Sequence, residues 1–156
     1  GIRDRDVTGV QTCALPILLT SRKAQDLEEA AADLAAKGID ARWVAADASE
    51  PQQVQHVVDE TLQRLGPIDI LVNNAGATWG APAEDFPQQA WDKVINVNLT
   101  ALFQLTQAVA RQAMIPRRAG RILNIASVEG LRGHRYEKPI PAMRGYLDGL
   151  RKAGFG

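Results

Sequence analysis

The sequence contains little cysteine, no excess of either charge and no long apolar run. Its 156 residues include a single cysteine, Cys13, which excludes an internal disulfide bond and a metal site built from several cysteines. Lysine plus arginine and aspartate plus glutamate number 18 each, so the chain has no basic surplus for binding nucleic-acid phosphates. The longest apolar stretch, residues 14–19, is broken by Pro16 and is too short to span a bilayer. We therefore expect a globular cytoplasmic protein that acts on a small molecule, with no nucleic acid, membrane or metal as a partner.

The rest of the sequence alternates short β-rich runs with longer helical patterns. The strand candidates are residues 17–20, 42–46, 68–72 and 121–126, and the helical patterns cover residues 23–37, the stretch from Ser49 to Leu65, and about 88–114. The run at 68–72 is nearly all apolar, which is typical of a strand buried on both faces. Because parallel strands need crossover connections, the alternation predicts an α/β fold with a doubly wound parallel sheet.

The second helix carries a start signal in its sequence. Ser49, followed three residues later by Gln52, matches a capping box, and Pro51 is tolerated in a first turn. We therefore expect the side chain of Ser49 to cap this helix.

Both ends of the chain depart from the alternation. Residues 1–17 show no strand-then-helix pattern, and residues 7–17 within them resemble a translated sequencing adapter, so we interpret residues 1–17 as a non-native leader. From His134 to Gly156 the composition turns to proline, glycine and charge. These boundaries predict a domain over residues 18–133 and an aberrant tail over residues 134–156.

Three short motifs carry a resemblance to a known family. They are Asn73-Asn74-Ala75-Gly76 after the third strand, Asn96-Val97-Asn98-Leu99 within the long helix, and Asn124-Ile125-Ala126-Ser127 ending the fourth strand. Together and in this order they resemble the classical short-chain dehydrogenase/reductase family, and residues 71–85 are most similar to its gluconate 5-dehydrogenase-like members. The resemblance implies a Rossmann-like fold and hydride transfer between a nicotinamide cofactor and an alcohol or ketone. Gluconate, a related polyol or a sugar acid is then a candidate substrate.

The resemblance also assigns cofactor-binding residues. Ligands of open α/β sheets bind beyond the carboxyl ends of the strands, and several of the matching residues follow predicted strands. By the resemblance, the adenine contacts are Asp47 and the backbone of Ala48, and the residues that lie against the cofactor are Asn73, Ala75 and Gly76. The alternatives are that Asp47 is only a helix-start carboxylate and that the Asn-Asn-Ala-Gly segment is only a turn.

Arg22 bears on the choice of cofactor. It follows the strand that, by the resemblance, ends at the adenosine ribose, where NAD-preferring enzymes place an acid. An arginine offers a planar fork suited to a 2′-phosphate, so we expect NADP, with NAD and a merely solvated arginine as the alternatives. If the resemblance holds, Arg22, Asp47, Asn73 and Ser127 converge along one rim of the fold.

Two residues match catalytic positions of the family. The resemblance implies that Ser127 hydrogen-bonds the substrate oxygen and that Asn98 holds a water of a proton relay. The alternative for Ser127 is a strand-end cap. Asparagine has poor helix propensity, so a buried Asn98 needs a polar partner, whereas Asn96 lies on another face and is more consistent with a structural role.

The family pattern is incomplete in this sequence. Nothing before Leu18 supplies the first strand and glycine-rich turn that hold the pyrophosphate, so we expect an incomplete sheet. The tyrosine and lysine four residues apart are also absent: Tyr136 is followed by Ile140, and Tyr146 by Leu150. At the two spacings that the family uses after Ser127, the tyrosine position falls on Ile140 or Met143, and neither side chain can donate a proton, so we expect the chain as written to be inactive.

Two other functions are compatible with the pattern. One is a non-catalytic nucleotide-binding module, or a broken fragment that binds nothing. The other is an unrelated doubly wound domain of the receiver type, which does not explain the paired asparagines. Intact members of the family pair through the helix at 88–114, so the resemblance implies a homo-oligomer.

Overall fold

The computed structural model describes residues 15–127, which belong to two compact units with a boundary between Ala46 and Asp47. The expected tail at residues 134–156 lies outside the described residues, as do residues 1–14 of the expected leader. Within residues 15–127, no helix combines the length and the hydropathy needed to cross a membrane.

The first unit contains a strand, a helix and a second strand in chain order. They are β1 (Ile17–Ser21), α1 (Ala24–Ala35) and β2 (Ala41–Ala45). β1 and β2 pair in parallel, and α1 buries Leu27 and Ala31 in a unit whose sheet buries Val44. The crossover predicted from the alternation is confirmed, and the predicted bounds of these three elements lie within two residues of the observed ones.

The second unit contains two strands and a long helical stretch. Its elements are α2 (Pro51–Leu65), β3 (Ile70–Asn73), a 3₁₀ turn (Ala83–Asp85), α3 (Gln88–Ile95), α4 (Leu102–Val109), α5 (Ile115–Arg117) and β4 (Arg121–Asn124). Two π-helical turns, Asn96–Ala101 and Ala110–Met114, join α3, α4 and α5 without a break. The helix predicted at 88–114 is confirmed. Its π-helical turns were not predicted, and such turns are frequent at functional sites.

β3 and β4 form a second parallel pair, in which Asn73 lies opposite Asn124. Pairing continues beyond the strand end, because the Ile125 N–H donates to the Asn73 carbonyl at 3.0 Å. Among the described residues, β1 pairs only with β2 and β3 only with β4, so the four strands form two separate two-stranded sheets. The carboxyl ends of β3 and β4 therefore lie side by side at one edge.

Only one face of the β3–β4 sheet is covered by helices in the part of the chain that the structure describes. On that face Leu71 packs with Val58, Val109 and Met114, which come from α2, α4 and the second π-helical turn. On the other face the side chains of Ile70 and Val72 are 49% and 51% exposed. The prediction that this strand is buried on both faces is therefore wrong for these residues. Side chains alternate between the two faces, and the helices pack against one of them.

The capping prediction for α2 is also wrong. The helix begins at Pro51 after Glu50, and no side chain caps it. The Ser49 hydroxyl instead donates to Asp47 Oδ1 at 2.6 Å. A capping hydroxyl oxygen accepts from an N–H of the first turn, but Ser49 lies one residue before the N-cap position, Glu50, and its hydroxyl donates to the carboxylate in a charge-assisted bond.

Candidate functional site

Asn98 holds the loop that follows β3. Its side chain is 7% exposed on the first π-helical turn, and both ends of its amide bind the backbone of Ala77. Asn98 Nδ2 donates to the Ala77 carbonyl at 2.8 Å, and the Ala77 N–H donates to Asn98 Oδ1 at 2.7 Å. The expectation that a buried Asn98 has a polar partner is confirmed. The pair of bonds fixes the loop beside the helix.

The turn between β3 and Ala77 presents backbone to solvent. The Asn74 N–H donates to the Val72 carbonyl at 3.1 Å, which closes a three-residue turn at the strand end. Ala75 and Gly76, which follow, are exposed. Because these residues have small side chains or none, a flat ligand can approach the backbone closely here.

Asn73 braces the sheet from inside. The side chain of this last residue of β3 is 6% exposed. Its Nδ2 donates to Asn124 Oδ1 at 2.8 Å and to Thr106 Oγ1 at 3.0 Å, which joins β3 to β4 and to α4. The Asn73 side chain is therefore committed to contacts inside the protein.

Asp47 and Ala48 lie half-buried in the loop before α2. Asp47 Oδ1 accepts from the Ser49 N–H at 2.9 Å as well as from the Ser49 hydroxyl. The Asp47 N–H donates to Gln53 Oε1 at 2.7 Å. Asp47 therefore orders the loop at the start of α2, as the alternative interpretation expected. The same bonds hold its carboxylate in one orientation.

Ser127 is half-buried and lies three residues beyond the end of β4. The Ile125–Asn73 hydrogen bond just before it keeps this segment beside the end of β3. Ser127 therefore follows the same sheet edge from which the Asn74–Gly76 turn leaves. This is the edge at which open α/β sheets bind ligands.

Arg22 lies in the first unit, one residue after β1, and its side chain is exposed. Within residues 15–127 it makes no hydrogen bond or ion pair, unlike Arg42 in the same unit, which pairs with Asp40. An unpaired guanidinium suits a phosphate ligand. That Arg22 converges with the other three rim residues stays a prediction, because it belongs to the other compact unit.

In the second unit, one helical turn forms hydrogen bonds with two of the loops that contain predicted site residues. The first π-helical turn bonds to the loop of Asp47 through Asn96, whose Nδ2 donates to the Ser49 carbonyl at 3.2 Å. Two residues later the same turn bonds to Ala77 through Asn98. The sequence did not identify Ser49, Ala77 or Thr106 as partners of these asparagines: the capping-box pattern assigned Ser49 only to the helix start, and Ala77 and Thr106 lie outside the three asparagine motifs.

Within the second unit, the groups present suit a nicotinamide dinucleotide, because Asp47 offers an oriented carboxylate and the Asn74–Gly76 turn an exposed backbone. No group of three or more histidine, cysteine, aspartate or glutamate side chains among residues 15–127 is arranged to hold a metal ion.

Comparisons with known proteins agree with this chemistry. A family model described as short chain dehydrogenase matches residues 11–139. Gluconate 5-dehydrogenase of Gluconobacter oxydans is 35% identical over 144 residues, which are 92% of this chain and 56% of that protein. The chain thus spans about half the length of the curated relatives it matches.

Two solved structures show the same fold. A gluconate 5-dehydrogenase from Burkholderia cenocepacia, in complex with NADP and tartrate, is 36% identical with a TM-score of 0.79, covering 88% of this chain and 53% of that chain. An NAD⁺-bound xylitol dehydrogenase is 32% identical with a TM-score of 0.79, covering 89% and 54%. The predicted Rossmann-like α/β fold is therefore confirmed.

Proposed function

Because this chain belongs to the short-chain dehydrogenase family, we propose that its function, by family, is that of an NADP-dependent oxidoreductase whose substrate is a sugar acid, a polyol or a ketone. A bound nicotinamide would supply or accept the hydride. The observation that carries the proposal is the pair of bonds between Asn98 and Ala77, since they hold an exposed turn at the ligand-binding edge of the sheet.

Ser127 and Asn98 are the residues to which we assign roles in the reaction. Ser127 lies beyond the carboxyl end of β4, and its hydroxyl donates a hydrogen bond to the substrate oxygen. This hydrogen bond orients the reacting carbon. The Asn98 amide makes two bonds to Ala77 and retains one donor and one acceptor position, so it can still bind a water of a proton relay.

The cofactor residues extend this proposal. Asp47 and the Ala48 backbone contact the adenine, and Asn73, Ala75 and Gly76 lie against the cofactor. Arg22 binds the 2′-phosphate and so favours NADP over NAD. The NADP complex of the Burkholderia relative supports that preference, while the NAD⁺ complex of the xylitol dehydrogenase keeps NAD as the alternative.

We further propose that the chain as written binds the cofactor without turnover. The sequence contains no tyrosine followed four residues later by lysine, and the positions where that pair would fall lie outside the described residues. Ser127 can orient a substrate oxygen but cannot replace a tyrosine whose pKa a neighbouring lysine lowers.

Binding and turnover measured together test the proposed function. We expect NADPH to bind the purified chain in a calorimetric titration, and we expect no NADPH oxidation above a no-protein control with 5-ketogluconate or simple ketones. Absence of NADPH binding contradicts the proposed cofactor. Turnover that is lost in a Ser127→Ala variant contradicts the proposed inactivity.

Replacing Arg22 by glutamate tests the cofactor preference. We expect the affinity for NADPH to fall by about tenfold to a hundredfold and the affinity for NADH to stay within about twofold, because only NADPH carries the 2′-phosphate. Arg42→Ala is the matched control, since it removes an exposed arginine of the same unit that already pairs with Asp40. Equal losses for both cofactors in Arg22→Glu would contradict the assignment.

A non-catalytic nucleotide-binding module is the second candidate function. The missing tyrosine and lysine favour it, and it shares with the first proposal the expected NADPH binding without turnover. We also propose, for either function, that the protein is cytoplasmic and that it assembles into a homo-oligomer through the helical stretch at 88–114. The exposed side chain of Phe103 supplies apolar surface on that stretch.

A further inference from the structure

Asn96 makes a hydrogen bond that none of the roles above uses. Its half-buried side chain donates from Nδ2 to the Ser49 carbonyl at 3.2 Å, across 47 positions of the sequence. Residues two positions apart on a helix point to nearly opposite sides. Asn96 and Asn98 can therefore bind two different loops from a single π-helical turn.

The residue that Asn96 binds is the one that orients Asp47. The Ser49 carbonyl accepts from Asn96, while the Ser49 N–H and hydroxyl both donate to Asp47 Oδ1, at 2.9 and 2.6 Å. A shift of Ser49 therefore moves the Asp47 carboxylate with it. The Asp47 N–H is anchored separately to Gln53 Oε1.

We propose that Asn96 is a positioning residue for the adenine end of the cofactor, an inference that rests on the proposed function. Through Ser49, Asn96 orients Asp47 and Ala48. Asn98 holds the Asn74–Gly76 turn through Ala77. The two asparagines thus fix the loop that contacts adenine relative to the turn that lies against the cofactor. Rigid support of this kind strengthens binding because less order is lost when the ligand binds.

The variant Asn96→Asp tests this inference. It keeps the size of the side chain but replaces the Nδ2 donor by an oxygen that faces the Ser49 carbonyl oxygen. We expect the affinity for 2′,5′-ADP, which contains the adenine end and lacks nicotinamide, to fall by about fivefold to thirtyfold. Isothermal titration calorimetry measures the affinity.

Hydrogen exchange of the same variant separates a local effect from a general loss of stability. We expect faster amide exchange at residues 47–53 and unchanged exchange at residues 74–80. Gln112→Ala is the matched control: it removes a 3.2 Å bond from the second π-helical turn to the Gln55 side chain on α2 and leaves the Asn96–Ser49 bond in place. The control should leave both the affinity for 2′,5′-ADP and the exchange at 47–53 unchanged.

The possible outcomes keep the two proposals apart. If the wild-type chain binds NADPH and Asn96→Asp binds 2′,5′-ADP equally well, or no worse than Gln112→Ala does, the positioning role of Asn96 is overturned and the proposed function stands. If the wild-type chain binds neither NADPH nor 2′,5′-ADP, the proposed function fails and the ligand role of Asn96 fails with it. Exchange at residues 47–53 then reports only whether Asn96 anchors the loop.

Discussion

Replacing Gly120 by alanine lowers the free energy of unfolding by about 2–4 kcal/mol. Gly120 has a φ of +154°, a conformation that L side chains rarely adopt, and a Cβ there would lie 2.5 Å from Met114 Cγ. Met114 cannot yield easily, because it is buried in the core with Val58 and Leu71. Urea unfolding followed by tryptophan fluorescence measures the change.

Gly80→Ala is the control for that experiment. A Cβ at Gly80 would meet nothing within 4 Å, so we expect a change below about 1 kcal/mol. A loss in Gly120→Ala no larger than this would contradict the predicted clash. The double variant of Gly120→Ala with Met114→Ala removes the clashing atoms, so its loss should be smaller than the sum of the two single losses.

Replacing Asn73 by alanine lowers the free energy of unfolding by about 2–3 kcal/mol. The substitution removes two hydrogen bonds of a side chain that is 6% exposed, one to Asn124 and one to Thr106. It also leaves a small cavity between the sheet and α4. Chemical denaturation at several urea concentrations measures the loss.

The neighbouring asparagine provides the comparison. Asn74 is exposed, and Asn74→Ala should change the free energy of unfolding by less than about 0.5 kcal/mol. A double-mutant cycle of Asn73→Ala with Thr106→Val should give a coupling energy of about 1 kcal/mol. Additive losses would show that the Asn73–Thr106 bond contributes nothing to stability.

The helices and strands could be placed from local patterns. In α2 the apolar residues Val54, Val57 and Val58 are all buried. Their spacing follows the helical repeat, which needs no knowledge of distant residues. The bounds of β1 and β2 differ from the predicted ones by only one residue at each shifted end, because a short apolar run is also a local pattern.

The environment of the strands could not be predicted in the same way. An apolar run indicates a strand but not how many of its faces are covered, and β3 exposes Ile70 and Val72 among the described residues. The start of α2 is a similar case. The Ser49 hydroxyl could accept from a first-turn N–H or donate to a nearby oxygen, and only the folded loop shows that it donates to Asp47.

The motifs mark Asn73, Asn98 and Ser127 as candidate site residues, but they do not indicate what the side chains bind. Asn98 meets Ala77 across 21 positions, and Asn73 meets Thr106 across 33. Such pairs depend on how the helices pack against the sheet. No local repeat encodes that packing.

The amino-acid order alone was enough to establish the succession of helices and strands, the family and the positions of its motifs, because periodicity and short motifs are local properties. Folding in three dimensions settled which sheet face is covered and which backbone group each asparagine holds. Those outcomes depend on contacts between segments far apart in the chain, where hydrogen-bond geometry selects one partner among several that are chemically equivalent.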